Sequence, residues 1–130
     1  MVLILGSGFI GNAIHGKLLE FNYPVRIFSK NILDNPKGNY YRGDFNQIEK
    51  YQNLFDGVST VIHTIHSTVP ATSMSNLEYE IDSSVKPSLK LLDILKKKSL
   101  KNLIYISSGG ALYGNPLYLP VNETHPTYPI

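Results

Sequence analysis

The chain has 130 residues, of which 42% are hydrophobic and 17% charged, and its formal net charge is only +2. This composition is typical of an ordinary soluble domain and not of a disordered chain, and the length suits one domain, not a cofactor domain with a separate substrate domain. Because the chain has no cysteine, disulfides, cysteine nucleophiles and cysteine-based zinc or iron–sulfur sites are excluded too.

Nothing in the sequence predicts a membrane or nucleic-acid partner. No run of about twenty apolar residues is present, and the apolar start of the chain has no basic flank. We therefore expect a cytoplasmic protein.

Much of the small net positive charge comes from four lysines close together in the sequence, Lys96, Lys97, Lys98 and Lys101. The first three suit the end of a helix, where the dipole favours positive charge.

Short apolar runs alternate with segments of helical spacing, which is typical of βαβ units and a parallel sheet. Residues 2–5 form the first predicted strand, and a helix follows it. Its stripe towards the sheet is predicted at Ile10, Ile14, Leu18 and Phe21. Polar residues of this helix, among them His15, are expected to face water.

The middle of the chain continues the alternation. Strands are predicted at 25–28, ending near Ser29, then at 39–41 and 59–64, with a loop over 31–39. A short helix is predicted around 48–55, which Asp56 and Gly57 close.

A long helix with a kink or break at Pro87 is predicted next. Its apolar stripe is Leu77, Ile81, Val85, Leu89, Leu92 and Leu95. A last strand is predicted at 102–106. The Gly109-Gly110 pair and the proline-rich tail after it are expected to form no further regular element.

The segment Gly6-Ser7-Gly8-Phe9-Ile10-Gly11 has the spacing G-x-G-x-x-G between a predicted strand and helix. The first glycine permits a tight turn, the second lets a pyrophosphate approach the backbone, and the third packs helix on strand. Free N–H groups at the helix start favour phosphate. The sequence therefore predicts a dinucleotide site, with a glycine-rich turn that binds no ligand as the alternative.

The end of the second strand bears on the choice between NAD and NADP. Ser29 and Lys30 stand where an acidic residue would bind the adenosine ribose and repel a 2′-phosphate. A hydroxyl and a cation favour NADP, although Ser29 can also simply cap a turn. Asp44, followed by Phe45, lies where a carboxylate can meet the adenine amino group.

Several motifs in order resemble the extended short-chain dehydrogenase/reductases, in particular NAD-dependent nucleotide-sugar epimerases and dehydratases of the UDP-glucose 4-epimerase type. The similar segments are G-F-I-G at 8–11, Gly43-Asp44, Val61-Ile62-His63, S-S-G-G-A-L-Y-G at 107–114 and P-V-N-E-T-H-P at 120–126. The resemblance implies a Rossmann fold, doubly wound with helices on both faces. It also implies a nicotinamide cofactor and a nucleotide-sugar substrate, with Thr64, Ile65 and His66 beside the cofactor.

Three departures from the family pattern matter. Leu5 stands where many members have the first glycine of a longer loop motif. Gly109 stands where many carry the catalytic serine or threonine, which leaves Ser108 as the expected catalytic hydroxyl and Ser107 as the fallback. No tyrosine has a lysine four residues later, so the family's proton-transferring pair is missing. We expect residues 1–130 to be an incomplete NAD(P)-binding domain, inactive alone and completed by a C-terminal portion.

Other chemistries fit less well. His63, His66 and His125 lack further zinc ligands, and a hydrolase would need G-x-S-x-G. A non-catalytic dinucleotide-sensing module is the alternative function.

For the fold we expect strand order 3-2-1-4-5, with Leu3, Ile62 and Ile104 central. We also expect an exposed strip at Leu103, Tyr105 and Leu112, and therefore self-association or marginal stability.

Overall fold

The computed structural model describes residues 1–31, 39–66 and 76–129. Within these ranges the chain forms a five-stranded sheet in the order β3-β2-β1-β4-β5, and all four strand pairs are parallel. The predicted order is therefore confirmed. The strands are β1 Val2–Leu5, β2 Val25–Ser29, β3 Asn39–Arg42, β4 Thr60–His63 and β5 Asn102–Tyr105.

Helical segments cover both faces of the sheet. Helix α1 (Phe9–Glu20) lies on one face, and a 3-10 segment (Phe45–Phe55) lies on the other. A helical run follows on this second face, consisting of α2 (Leu77–Glu80), a π-helical segment (Ile81–Val85) and α3 (Lys86–Leu95). The doubly wound architecture is therefore confirmed. No helix within the described ranges is both long and apolar enough to cross a bilayer.

Two apolar clusters hold the layers together. The larger joins one face of β1, β2 and β4 to the 3-10 segment and α3, and it includes Leu3, Phe28, Phe55 and Leu91. The smaller has Ile4, Val25, Ile27 and Ile62 at its centre, with Ile14, Leu18 and Leu19 of α1 packed on it. Alternate residues of β1 thus serve opposite clusters, as the pleat requires.

Helix α1 is turned relative to the prediction. Ile14 and Leu18 do contact the sheet, but Phe21 is exposed and His15, expected in water, is buried. The reason is Gly11, whose added Cβ would lie 2.0 Å from the carbonyl oxygen of Gly6. This close approach fixes which side of the helix meets β1.

The long helix also presents a different side to the sheet. Pro87, Leu91 and Ile94 are buried, whereas most of the predicted stripe is exposed. Pro87 occupies the first turn of α3, where its missing N–H costs little. The chain keeps right-handed helical dihedrals through Val85 and Lys86, so the run continues through a π-helical segment and does not break.

Two smaller expectations were wrong, and one helix differs in type from the prediction. Residues Gly109–Tyr113 form a short helix, α4, because the Ser108 hydroxyl accepts a hydrogen bond from the Ala111 N–H and caps it. The predicted short helix around 48–55 is present and ends before Asp56 as expected, but it begins at Phe45, is of the 3-10 type and has breaks at Gln47 and Tyr51. Ile104 is not central, since β5 is the edge of the sheet within the described ranges. Most of the predicted loop at 31–39 lies outside the described residues.

Candidate functional site

A cleft of about 370 Å³ opens at the carboxyl ends of the strands. It lies beside the boundary between β1 and β4, where the chain order reverses in the sheet. In open α/β sheets this reversal is where ligands bind, because the loops diverge there. The lining residues are Gly6, Ser7, Gly8, Ser29, Lys30, Asn31, Gly43, Asp44, Phe45, Asn46, Thr64, Ile65, His66, Tyr79 and Ser83.

The glycine loop forms one wall of the cleft. Gly6 has a φ of +108°, and an added Cβ would lie 2.6 Å from Thr64 Oγ1, so a side chain is excluded twice over. Among the described residues other than its two chain neighbours, no atom lies within 4 Å of a Cβ added at Gly8. The turn therefore requires Gly6, while the free space at Gly8 is available to a ligand.

The start of α1 supplies the electrostatics of this wall. Gly8 is the N-cap residue, and because glycine has no side chain, no cap side chain accepts a hydrogen bond from the first-turn N–H groups. The Asn12 side chain instead donates to the carbonyl oxygen of Ser7 at 2.5 Å and braces the loop. The first-turn N–H groups and the positive end of the helix dipole consequently suit an anion.

Next to the glycine loop, the residues that follow β2 and β3 add hydroxyls and an ion pair to the cleft. Ser7 Oγ lies 2.7 Å from Ser29 Oγ and 3.2 Å from the carbonyl oxygen of Asn31. Lys30 Nζ lies 3.5 Å from Asp44 Oδ2, and Asp44 Oδ1 accepts a hydrogen bond from the Asn46 N–H. A ligand here meets both a cation and a carboxylate.

The loop after β4 closes the cleft from the other side. Thr64 Oγ1 donates to the carbonyl oxygen of Leu5 at 2.9 Å and ties this loop to the end of β1. His66 is exposed, and its Nε2 lies 2.9 Å from the carbonyl oxygen of Ile106, so this nitrogen carries the proton. Thr64 and His66 thus link β4 to both of its neighbours.

His63, just before this loop, is buried with no hydrogen-bond partner for either ring nitrogen among the described residues. Its ring lies 4.9 Å from that of Phe45 and 5.1 Å from that of Tyr105. Burial, with repulsion from His66 as a smaller cause, lowers the pKa of His63 to about 4. His63 is a neutral packing residue near neutral pH.

Ten of the thirteen predicted cofactor residues line the cleft; Phe9, Ile10 and Gly11 do not. Gly11 packs the helix against Gly6, and Phe9 is almost fully exposed. Ser108 is also outside the lining, where it caps α4.

Sequence reasoning missed Asn31, Gly43, Asn46, Tyr79 and Ser83. The sequence does carry a signal for Gly43, because the Gly43-Asp44 pair is one of the segments that resemble the family. An added Cβ there would lie 2.4 Å from the Phe28 ring. Tyr79 and Ser83 gave no such signal, because their approach depends on how the long helical run packs.

A glycine loop at the order reversal of a doubly wound parallel sheet defines a Rossmann-type domain. Comparison with family models matches residues 2–130 to the NAD dependent epimerase/dehydratase family. The chain belongs to this family.

Relatives agree with the family match. A putative UDP-glucose 4-epimerase of Methanocaldococcus jannaschii is 36% identical over 138 residues, covering 100% of this chain and 45% of that protein. UDP-glucose 4-epimerase of Streptococcus mutans is 27% identical, covering 99% of this chain and 41% of that protein. The chain thus spans less than half the length of these relatives.

Solved structures show the same similarity in three dimensions. UDP-glucose 4-epimerase of Thermotoga maritima with UDP-glucose matches with a TM-score of 0.81 and 27% identity, over 99% of this chain and 45% of that one. The enzyme of Bifidobacterium longum in complex with NAD+ and UDP matches with a TM-score of 0.84 and 26% identity, over 98% and 42%.

Proposed function

We propose that residues 1–130 are the dinucleotide-binding portion of a nucleotide-sugar epimerase or dehydratase. The observation that carries the proposal is the open space at Gly8, which lines the cleft and is also the N-cap residue of α1, where the first-turn N–H groups have no capping side chain. A pyrophosphate needs both features, because it must approach the backbone closely and its charge must be compensated.

The cleft has room and polar groups for the rest of the cofactor. We place the adenosine ribose near Ser29, Lys30 and Asn31, and the remainder along Thr64, Ile65 and His66. A bound nicotinamide would accept a hydride from a sugar carbon and could return it. The protein's own groups orient the cofactor and compensate its phosphate charge.

The Lys30–Asp44 pair sets the expected cofactor preference. A 2′-phosphate gains a charge-assisted hydrogen bond from Lys30, but Asp44 lies 3.5 Å from the same ammonium and repels that phosphate. We therefore propose a preference for NADPH over NADH of only several-fold, shrinking as salt rises. The B. longum relative was solved with NAD+, and equal binding of both cofactors would remove the NADP proposal.

We further propose that the nucleotide sugar and its chemistry require residues beyond this chain. Ser108 is the proposed catalytic hydroxyl, exposed at the start of α4, and hydride transfer also needs a base to take the sugar hydroxyl proton. No tyrosine of the chain has a lysine four residues later.

The experiment is an assay of UDP-glucose turnover for two proteins. One is the 130-residue chain, and the other is the same chain fused to the C-terminal portion of the M. jannaschii relative. We expect no turnover from the first, turnover from the fusion, and loss of that turnover on Ser108→Ala. Turnover by the 130-residue chain alone, in a preparation free of other epimerases, would contradict the proposal.

A further inference from the structure

Asn12 lies in α1 just after the glycine loop, and it holds two successive carbonyl groups of that loop. Its side-chain Nδ2 donates to the carbonyl oxygen of Ser7 at 2.5 Å, and its backbone N–H donates to the carbonyl oxygen of Gly8 at 2.9 Å. The side chain of Ser7 is tied as well, since its Oγ contacts Ser29 and Asn31. The peptide between Ser7 and Gly8 is therefore held on both sides.

The bond to the Ser7 carbonyl also fixes the direction of the next N–H group. In a trans peptide the C=O and the following N–H lie in one plane and point in opposite directions. The Ser7 carbonyl points towards Asn12, so the Gly8 N–H points away from Asn12. Gly8 lines the dinucleotide cleft, and within the described parts of the chain no residue accepts a hydrogen bond from its N–H. This donor can therefore serve an anion in the cleft.

Glycine at position 8 makes this peptide easy to invert. Inversion changes mainly the ψ of Ser7 and the φ of Gly8, the soft dihedrals on either side of the peptide plane. The φ of Gly8 is −73°, and inversion would carry it to a positive value that glycine adopts readily and other residues do not. The inverted peptide would present a carbonyl oxygen in place of the N–H, and the phosphate would lose a backbone donor.

The space requirement at Gly8 and the need for a fixed peptide conflict. A side chain at this position would disfavour inversion, but it would fill the open space that a pyrophosphate needs. The restraint on the peptide must therefore come from another residue. Among the described residues, Asn12 supplies the hydrogen bond that the Ser7 carbonyl would lose on inversion.

The other half of the Asn12 amide points to the same role. Its Oδ1 atom is buried and has no hydrogen-bond partner among the described residues. A buried amide oxygen without a partner costs stability, and an apolar side chain of similar size would avoid this cost. Stability alone therefore gives no reason for an amide at this position, whereas the bond from Nδ2 to Ser7 does.

We infer that Asn12 is a positioning residue for the pyrophosphate of the dinucleotide. It holds the Ser7–Gly8 peptide with its N–H on the side away from α1 and opposes the inversion that glycine permits. The inference rests on the proposed dinucleotide function. It concerns phosphate recognition alone, so binding of the adenosine part should not depend on Asn12.

The test is a titration of the 130-residue chain and of Asn12→Leu with NADH, inorganic pyrophosphate and adenosine, followed by NMR of the backbone amides. Leucine is similar in size to asparagine and has neither charge nor donor. We expect Asn12→Leu to bind NADH and pyrophosphate at least about tenfold more weakly, because one hydrogen bond to a charged group is lost. Adenosine should bind both proteins equally. Pyrophosphate should shift the Gly8 amide signal strongly only in the unchanged chain.

Asn53→Leu is the matched control, because Asn53 is exposed in the 3-10 segment and does not line the cleft. It should leave the binding of all three probes unchanged. Circular dichroism checks the fold of each variant, and Asn12→Ala takes the place of Asn12→Leu if that variant does not fold, since alanine suits a helix.

Two results would overturn the inference and leave the dinucleotide proposal intact. One is binding of NADH and pyrophosphate by the folded Asn12 variant as tightly as by the unchanged chain. The other is equal weakening of all three probes, which would show a general loss of the cleft and not a specific loss of phosphate recognition. Failure of the unchanged chain to bind NADH would instead reject the proposed function, and the inference with it.

Discussion

Acidification below pH 6.5 should destabilise the fold through His63. The side chain is 3% exposed, and its ring nitrogens have no hydrogen-bond partner among the described residues. The folded state therefore favours neutral imidazole, and the pKa falls from 6.5 to about 4. The unfolded chain keeps the ordinary pKa, so it binds a proton that the folded chain resists.

The sign and size of the effect follow from this difference. About one pH unit or more above 6.5 both states are neutral, and His63 makes no pH-dependent contribution there. Between 6.5 and about 4 the unfolded state binds more protons, so the free energy of unfolding decreases as the pH falls. At about 1.4 kcal/mol per pKa unit, the total loss is about 3 kcal/mol. This is a large share of the stability of a small domain.

The assay is urea unfolding at several pH values between 7.5 and 4.5, for the chain and for His63→Leu. The free energy of unfolding of the unchanged chain should fall as the pH is lowered. For His63→Leu we expect this fall to be smaller, by up to about 1.4 kcal/mol per pH unit. His66→Gln is the control, because His66 is exposed and its removal should leave most of that slope. Equal slopes for the unchanged chain and His63→Leu would refute the reasoning.

Two further predictions concern backbone and cofactor. Gly43→Ala should destabilise the fold by about 2 kcal/mol or more, since the added Cβ would lie 2.4 Å from the Phe28 ring. Gly16→Ala is the control, because no described residue beyond its neighbours lies within 4 Å of the added Cβ. Thermal melting should show that this variant is about 0.5–1 kcal/mol more stable, since alanine replaces a glycine inside a helix. In cofactor titrations at low salt, Lys30→Ala should weaken NADPH and barely affect NADH, while Asp44→Asn should strengthen NADPH; the opposite response would reject the phosphate assignment.

The strand order and most of the cleft could be predicted because their signals are local. A glycine loop directly after a buried strand fixes both the start of α1 and the reversal point of the sheet. Ser29 follows from the same logic, since it stands where β2 ends, whereas the resemblance to the family implies Thr64, which directly follows β4. The carboxyl ends of parallel strands share one edge, so residues there lie close together.

The orientation of the helices could not be predicted from spacing alone. In α1, the predicted stripe and the observed one share Ile14 and Leu18, and only the contact of Gly11 with Gly6 decides between them. In α3, both sides carry apolar residues at helical spacing. Which side meets the sheet depends on tertiary packing, and the same packing brings Tyr79 and Ser83 to the cleft.

The most direct test of the central claim is a titration of NADPH and NADH into the chain and into Gly8→Val, followed by fluorescence of the reduced nicotinamide. An added Cβ at Gly8 has no atom within 4 Å in the described parts of the chain, its two neighbours apart, and the φ of −73° suits any residue, so the variant should melt like the unchanged chain. We predict that the unchanged chain binds dinucleotide and that folded Gly8→Val binds neither cofactor. Equal binding by both proteins, or no binding by the unchanged chain, would contradict the assignment of this cleft as a dinucleotide site.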